Sequence, residues 1–309
     1  METSFLAYVR GRCRRLPQVE LGIGDDAAVY EPRGRQVVCT DQIIDRVDFE
    51  LDQHCPADIG FKSVAINLSD IAAMGARPRS MLVTLAVPRR PDNSELAAAV
   101  YEGIIEAAAE YHVAIIGGDL SVHDGPLMVS VTMIGELDAT WTPWKRSGGK
   151  VGDAVYLSGP VGGSLLGRHL RPKPRLDLVD TLRDDFNVTA AIDVSDSLSI
   201  DLDRLCAASG IGVRLDVDAI PIHRDAEKRS EETGRSPFRH AWSDGEDFEL
   251  LLCVAPEDAS RIESARTEAS SPLGDLQRIG ELTSRRGLWK LEAGKLLRLP
   301  PQGFIHGGE

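Results

Sequence analysis

Seven aspartates sit in short polar or glycine-flanked motifs along the 309-residue chain: Asp25 and Asp26 in GIGDD, Asp41 in CTDQ, Asp70 in NLSD, Asp119 in GGD, and Asp193 and Asp196 in DVSD. Carboxylates in such turns are well placed to bind ligands. Oxygen ligands without a His or Cys cluster favour magnesium or manganese over zinc. Magnesium takes one or two carboxylates per ion and fills its shell with water and phosphate. The set therefore supports several divalent ions, which would neutralise a phosphate-bearing ligand if one binds here. Any one of these residues is also explained as a turn or helix-cap aspartate, an explanation that weakens for all seven together. The formal net charge of −13 argues in the same direction. It repels nucleic-acid phosphates and anionic membranes, so an anionic substrate here needs cations around it.

Other motifs carry less. GIGDDA matches a loose dinucleotide fingerprint at Gly22, Gly24 and Ala27, but AVYEPRG follows, which reads as a strand and not the helix that a pyrophosphate site requires. GGSLLGRH nearly has P-loop spacing, with Arg168 in place of Lys and His169 in place of Ser or Thr; it reads as an ordinary turn. HLRPKPR gathers Arg171, Lys173 and Arg175, and Arg146 lies in a second basic loop. Either offers phosphate contacts, although Lys173 reads as solvated charge. SDGEDFELLL sets Asp244, Glu246 and Asp247 before a strand, where they could hold a cationic or hydrogen-bonding group. No Ser–His–Asp order stands out among the seven histidines.

The elements that must position these groups follow from periodicity. Phe61, Val64, Ala65, Leu68, Ile71 and Ala72 form a helical stripe, stopped by Gly75 and Pro78, with Asn67 and Asp70 on another face. Strands are expected at 36–44, 80–87, 113–117 and 127–135, with a loop GDLSVHDGP between the last two. Asp92 and Glu95 resemble a capping box. After a polar junction at 138–150 the pattern restarts: strands at 154–159, 189–195, 211–217 and 248–254, a short helix over VGGSLLGRHL, a helix carrying Leu198, Leu202 and Leu205, and another from Glu257. The alternation predicts α/β or α+β layers in two domains. The N-terminus reads as an amphipathic helix, not a signal peptide. No apolar run approaches a membrane span. Five cysteines without CxxC spacing suit reduced thiols in a cytoplasm.

Together the motifs resemble the thiamine-monophosphate kinase family, within the ATP-binding superfamily that includes aminoimidazole ribonucleotide synthetase. GIGDDAAV, NLSDIAAMGARP, IGGD, RSGGKVGD, HLRPKPR, AIDVSD, SDGEDFEL and GFIH occur in the family's order over nearly the whole chain. The resemblance implies an N-terminal α/β domain, 1–138, that dimerises through its sheet, a C-terminal α/β domain, 139–309, and ATP in the cleft between them. It implies metal positions at Asp26, Cys39, Thr40, Asp41, Asp70, Asp119, Asp193 and Asp196, and nucleotide positions at Gly118, Asp119, Arg146 and Ser195. Asp48, Glu246 and Phe304 fall where thiamine contacts are expected, and Asp70, Asp119 and Arg146 where catalysis is. The implied reaction is magnesium-assisted transfer of the ATP γ-phosphoryl group to thiamine monophosphate, by a cytoplasmic homodimer. Four positions depart from the family pattern: Asp48 replaces a His, Ser197 replaces a Gly, Leu120 replaces a Thr, and the closing HF is His306–Gly307. An ATP-dependent synthetase of the same superfamily and a non-catalytic nucleotide-binding paralogue are the competing readings.

Overall fold

A computed structural model describes residues 2–13, 17–23, 26–268 and 271–304. The chain divides into two compact units, one of Met1–Ile71 and Ala76–Thr142, the other of Ala72–Gly75 and Pro143–Glu309.

The first unit contains α1 (Glu2–Arg12), β1 (Val19–Leu21), β2 (Val29–Tyr30), β3 (Arg35–Ile44), α2 (Pro56–Ala73), β4 (Arg77–Pro88), α3 (Asn93–Glu110), β5 (Ala114–His123) and β6 (Met128–Leu137). β1 and β2 form a small antiparallel ribbon, as the reading of AVYEPRG requires. The other four strands make one sheet in the order β3–β6–β4–β5, antiparallel except for β4–β5. Alternation sends Met81, Val83, Leu85 and Val87 of β4 and Val129, Val131 and Met133 of β6 into the core beneath α2 and α3. The opposite face is half open: Val38 is 62% exposed and Leu82 38%.

Two local expectations fail here. β5 does not stop at residue 117. It stays paired with β4 through His123, so Asp119 lies within a strand and not in a loop. Asp92 precedes α3 without a side-chain cap, because its carboxylate pairs with Arg90.

The second unit contains β7 (Ala154–Leu157), α4 (Leu176–Asp185), β8 (Val188–Asp193), α5 (Leu198–Ser209), β9 (Gly212–Leu215), α6 (Arg224–Thr233), α7 (Pro237–Ser243), β10 (Leu250–Val254), α8 (Pro256–Ala265), β11 (Gln277–Thr283), β12 (Gly287–Glu292) and β13 (Lys295–Leu299). Its seven-stranded sheet runs β13–β12–β9–β11–β7–β10–β8. Helices cover both faces. Val155, Leu157, Leu251 and Cys253 pack with α5 and α7 residues such as Leu202 and Trp242, while Tyr156, Leu250 and Leu252 pack with Leu178 of α4 and Ile262 of α8. Burial on both sides explains why β7 and β10 are unbroken apolar runs without alternation.

VGGSLLGRHL forms two 3-10 turns, Ser164–Leu166 and Arg168–Leu170, in place of the expected helix. The Gly162 and Gly163 N–H groups are held by the carboxylates of Asp247 and Asp244.

Candidate active site

The fold gathers the candidate side chains into three groups. The first lies between β3 and α2. Cys39 and Asp41 alternate onto the helix-facing side of β3, and Asp70 sits in the last turn of α2. The Asp41 carboxyl hydrogen-bonds that of Asp70. Burial pushes the Asp41 carboxyl above its ordinary value and the nearby charge of Asp48 adds to this, whereas the Asp70 hydrogen bond opposes it. Cys39 Sγ lies 3.5 Å from the Asn67 carbonyl oxygen and 3.6 Å from its side-chain oxygen. Burial, then the charges of Asp70 and Asp41, push its thiol far up.

Thr40 points to the other face, where its hydroxyl meets the Val131 carbonyl and Thr132 Oγ1, each at 3.1 Å. Asp48 folds back on its own turn, accepting the Ile44 N–H at 2.7 Å, and its carbonyl accepts from the buried Lys62 ammonium at 2.7 Å.

The second group lines a cavity of about 830 Å3 in the same unit. Phe5, Val9, Tyr101 and Ile116 form its apolar wall; Gly117, Gly118, Asp119 and Asp26 its polar side. The β5 backbone passes so close to β4 that a Cβ at Gly118 would stand 1.9 Å from the Val83 carbonyl oxygen, so only glycine fits. Pairing puts Asp119 opposite Thr84, on the open face of the sheet. β3 and β5 are opposite edges, and Asp41 faces the helices. Asp119 therefore joins Asp26 and does not reach the Asp41–Asp70 pair. Asp25 lies outside the described residues.

The third group is in the second unit. β8 ends at the buried Asp193, and the turn Val194–Ser197 leads into α5. Asp201, fully buried on α5, accepts the N–H groups of Ser195, Asp196 and Ser197 on one carboxylate oxygen at 3.0, 2.9 and 3.1 Å. Burial raises this carboxyl above its ordinary value, against the pull of those N–H groups. Arg204 bridges the other Asp201 oxygen, at 2.8 Å, and the Asp196 carboxylate.

Two further segments lie against this turn. Glu246 and Phe248, both at positive φ, donate their N–H groups to the Ser195 and Val194 carbonyls at 2.7 and 2.8 Å. The tail donates the Phe304 N–H to the Asp196 carbonyl at 3.2 Å. Ser197 Oγ caps α5 by accepting from the Ile200 N–H and also contacts the Gln302 carbonyl. Its φ of 168° is extended backbone, so the glycine expected there is not needed. Ser195, Asp196, Glu246 and Phe304 thus converge although they come from three distant motifs. His306 and Gly307 lie outside the described residues.

Several expected ligands are engaged elsewhere. Asp247 is buried against Arg168, at 2.8 Å, and Gly162, and Asp244 against His240, at 2.9 Å. Only Glu246 of that motif remains a substrate candidate. Arg175 is buried against Glu249 and the Ser158 carbonyl, which removes it from phosphate binding, while the Lys173 side chain is 76% exposed. Arg146 is exposed, and its carbonyl accepts from Ser209 Oγ. Tyr101, Phe5 and Asp201 are site residues that the motifs did not single out. Only Asp201 left a signal, a charged residue beside the apolar stripe of its helix.

Among the described residues no three His, Cys, Asp or Glu side chains form a ready-made metal cage. The donors nevertheless fit magnesium: an all-oxygen carboxyl pair at Asp41 and Asp70, and carboxylates at Asp26 and Asp119 beside a nucleotide-sized cavity. One or two carboxylates per ion is the usual complement when phosphate and water supply the rest.

The paired domains define a class. Residues 24–137 match the AIR synthase related protein, N-terminal domain, and residues 149–288 the corresponding C-terminal domain. Over 319 residues, covering 99% of this chain and 98% of the relative, the chain is 55% identical to a thiamine-monophosphate kinase of Rhodopirellula baltica. The crystal structure of the Stenotrophomonas maltophilia K279a thiamine-monophosphate kinase is similar at TM-score 0.78 and 31% identity, covering 94% of this chain and 96% of that one. AaThiL complexed with AMPPCP and TMP is similar at TM-score 0.76 and 27% identity, covering 92% and 91%. The chain belongs to the thiamine-monophosphate kinase family.

Proposed function

We infer that the protein phosphorylates thiamine monophosphate to thiamine diphosphate with ATP. The observation that carries this reading is the Gly117–Asp119 cavity, apolar on one side and backbone- and carboxylate-lined on the other. Its volume lies within the range of small-molecule sites. The bound AMPPCP, an ATP analogue, and TMP of the related AaThiL support the same pair of substrates here.

In this reading the nucleotide base lies on the apolar wall near Phe5 and Tyr101, and Gly118 lets the phosphates approach the β5 backbone. Asp26, Asp41, Asp70, Asp119, Asp193 and Asp196 hold magnesium, with Thr40 and Cys39 adjacent. The bound ions supply the positive charge that offsets repulsion between the two phosphate-bearing substrates. Ser195 and Arg146 contact the nucleotide, and Glu246 and Phe304 the thiamine. A carboxylate side chain at Glu246 suits the thiazolium cation.

An oxygen of the acceptor phosphate forms a bond to the γ-phosphorus as the bond from that phosphorus to the β–γ bridging oxygen breaks, and ADP leaves. The second pKa of a phosphate monoester is about 6. The acceptor is therefore already a dianion at neutral pH, and the protein has no proton to remove.

The half-open face of the four-stranded sheet supports a homodimer built on it, and the five free cysteines support a cytoplasmic setting. No described helix is long and apolar enough to cross a membrane.

The test is to incubate purified protein with ATP, magnesium and thiamine monophosphate and to separate the products by chromatography. Thiamine diphosphate with matching ADP is expected. ADP formed only with a different acceptor would retain the phosphotransferase class and remove the substrate.

A further inference from the structure

Helix α5 is already capped by Ser197 Oγ, so the helix does not need the three N–H bonds to Asp201. Those bonds come from Ser195, Asp196 and Ser197, residues that precede the helix. What Asp201 fixes is the path of the turn, and with it the direction of the Asp196 side chain. Arg204 acts on the same side chain from another direction. Its guanidinium, 42% exposed, holds the Asp196 carboxylate and is itself anchored by the second Asp201 oxygen at 2.8 Å. Asp196 is therefore held in place and neutralised by a cation belonging to the protein.

We propose that Asp201 and Arg204 set the divalent-cation affinity of Asp196: Asp201 is a positioning residue that shapes the turn, and Arg204 competes with the cation for the carboxylate. The proposal rests on the reading of Asp196 as a cation ligand. It predicts opposite signs for two neighbouring substitutions, which damage to the fold does not produce. Asp201→Asn removes a negative charge beside Asp196 and turns an NH2 group either toward Arg204 or toward the three N–H donors. The second orientation also opens the turn, and in both the lost charge weakens the cation site. Arg204→Gln removes the competitor and strengthens it.

The experiment is a Mn2+ titration of the full-length protein without nucleotide, with free Mn2+ followed by electron paramagnetic resonance. Thermal melting of each variant is recorded alongside. Asp201→Asn is expected to weaken Mn2+ binding by about 10- to 100-fold, the usual effect of losing an outer-shell partner. Arg204→Gln is expected to tighten it by about two- to fivefold, the worth of a partly exposed ion pair. In an Asp196→Asn background Arg204→Gln should change nothing.

Unchanged Mn2+ binding in Asp201→Asn, equal or weaker binding in Arg204→Gln, or no binding by the wild type overturns the proposal. If Asp201→Asn melts too low to titrate, the Arg204→Gln result decides alone. Thiamine phosphorylation is assayed separately. A wild type that makes no thiamine diphosphate yet shows the two opposite shifts removes the acceptor and keeps the clamp. A normal kinase without those shifts does the reverse.

Discussion

The β3–α2 pair and the β8–α5 turn both present aspartates, yet they treat charge in opposite ways. In the first, regular elements bring the Asp41 and Asp70 carboxyls into one hydrogen-bonded pair with the charge of Asp48 nearby. In the second, an irregular turn meets its carboxylates with protein groups: three N–H donors on Asp201 and a guanidinium on Asp196. A buried pair of carboxyls is costly to ionise and is typical of sites awaiting a cation. Charges neutralised from within are stable without one. The first region should therefore respond more strongly to bound metal, and the second more strongly to loss of its own partners.

The sharpest way to break this contrast is Asp70→Asn. Turnover should fall at least about 100-fold, as for removal of a preorganised electrostatic group. The melting temperature without metal should rise by about 2–4 °C, because a neutral amide replaces one of two buried carboxyls and can still donate to Asp41. A stability loss, or near-normal kcat, would contradict the role given to the pair.

Next comes pH. Burial pushes the Asp247 carboxyl up to about 7 and raises that of Glu249. Both bind protons more tightly folded than unfolded, so their contribution to stability is fully present below the ordinary carboxylate values and is lost as pH rises through the raised ones. Urea unfolding between pH 5 and 8, with chelator present, should show this decline. Asp247→Asn should flatten it.

A smaller effect is expected from Gly303→Ala. Its Cβ would lie 2.4 Å from Ser197 Oγ and 2.7 Å from the Asp196 carbonyl oxygen, so the tail must shift. KM for the thiamine substrate should rise several-fold with kcat nearly kept, measured by steady-state kinetics. The smallest is Lys173→Ala, where both stability and turnover should stay within about 0.5 kcal/mol of wild type.

The sequence made the regular parts of both regions readable. The stripe through Phe61 and Leu68 defines α2, and the buried runs define β7 and β10. It also supplied the aspartates themselves. It misplaced some of their supports, because pairing between distant strands leaves no local trace. Nothing near Asp119 announces that β4 carries β5 on to His123. Likewise the meeting of Asp196, Glu246 and Phe304 depends on backbone contacts from Glu246 to Ser195 and from Phe304 to Asp196, residues far apart in the chain. SDGEDFEL looked like three ligands, but two of its carboxylates fasten a glycine turn. That use is invisible until the partner strands are in place.

Asp119 has one more consequence. Its backbone is locked into a ladder beside Thr84, as that of Asp41 is beside Val131 and that of Asp70 within a helix. These three side chains can answer an arriving ligand only by rotating about their own bonds, which for the exposed Asp119 is a matter of picoseconds to nanoseconds. The slow steps of a catalytic cycle must then arise elsewhere, in segments whose main chain is free to rearrange.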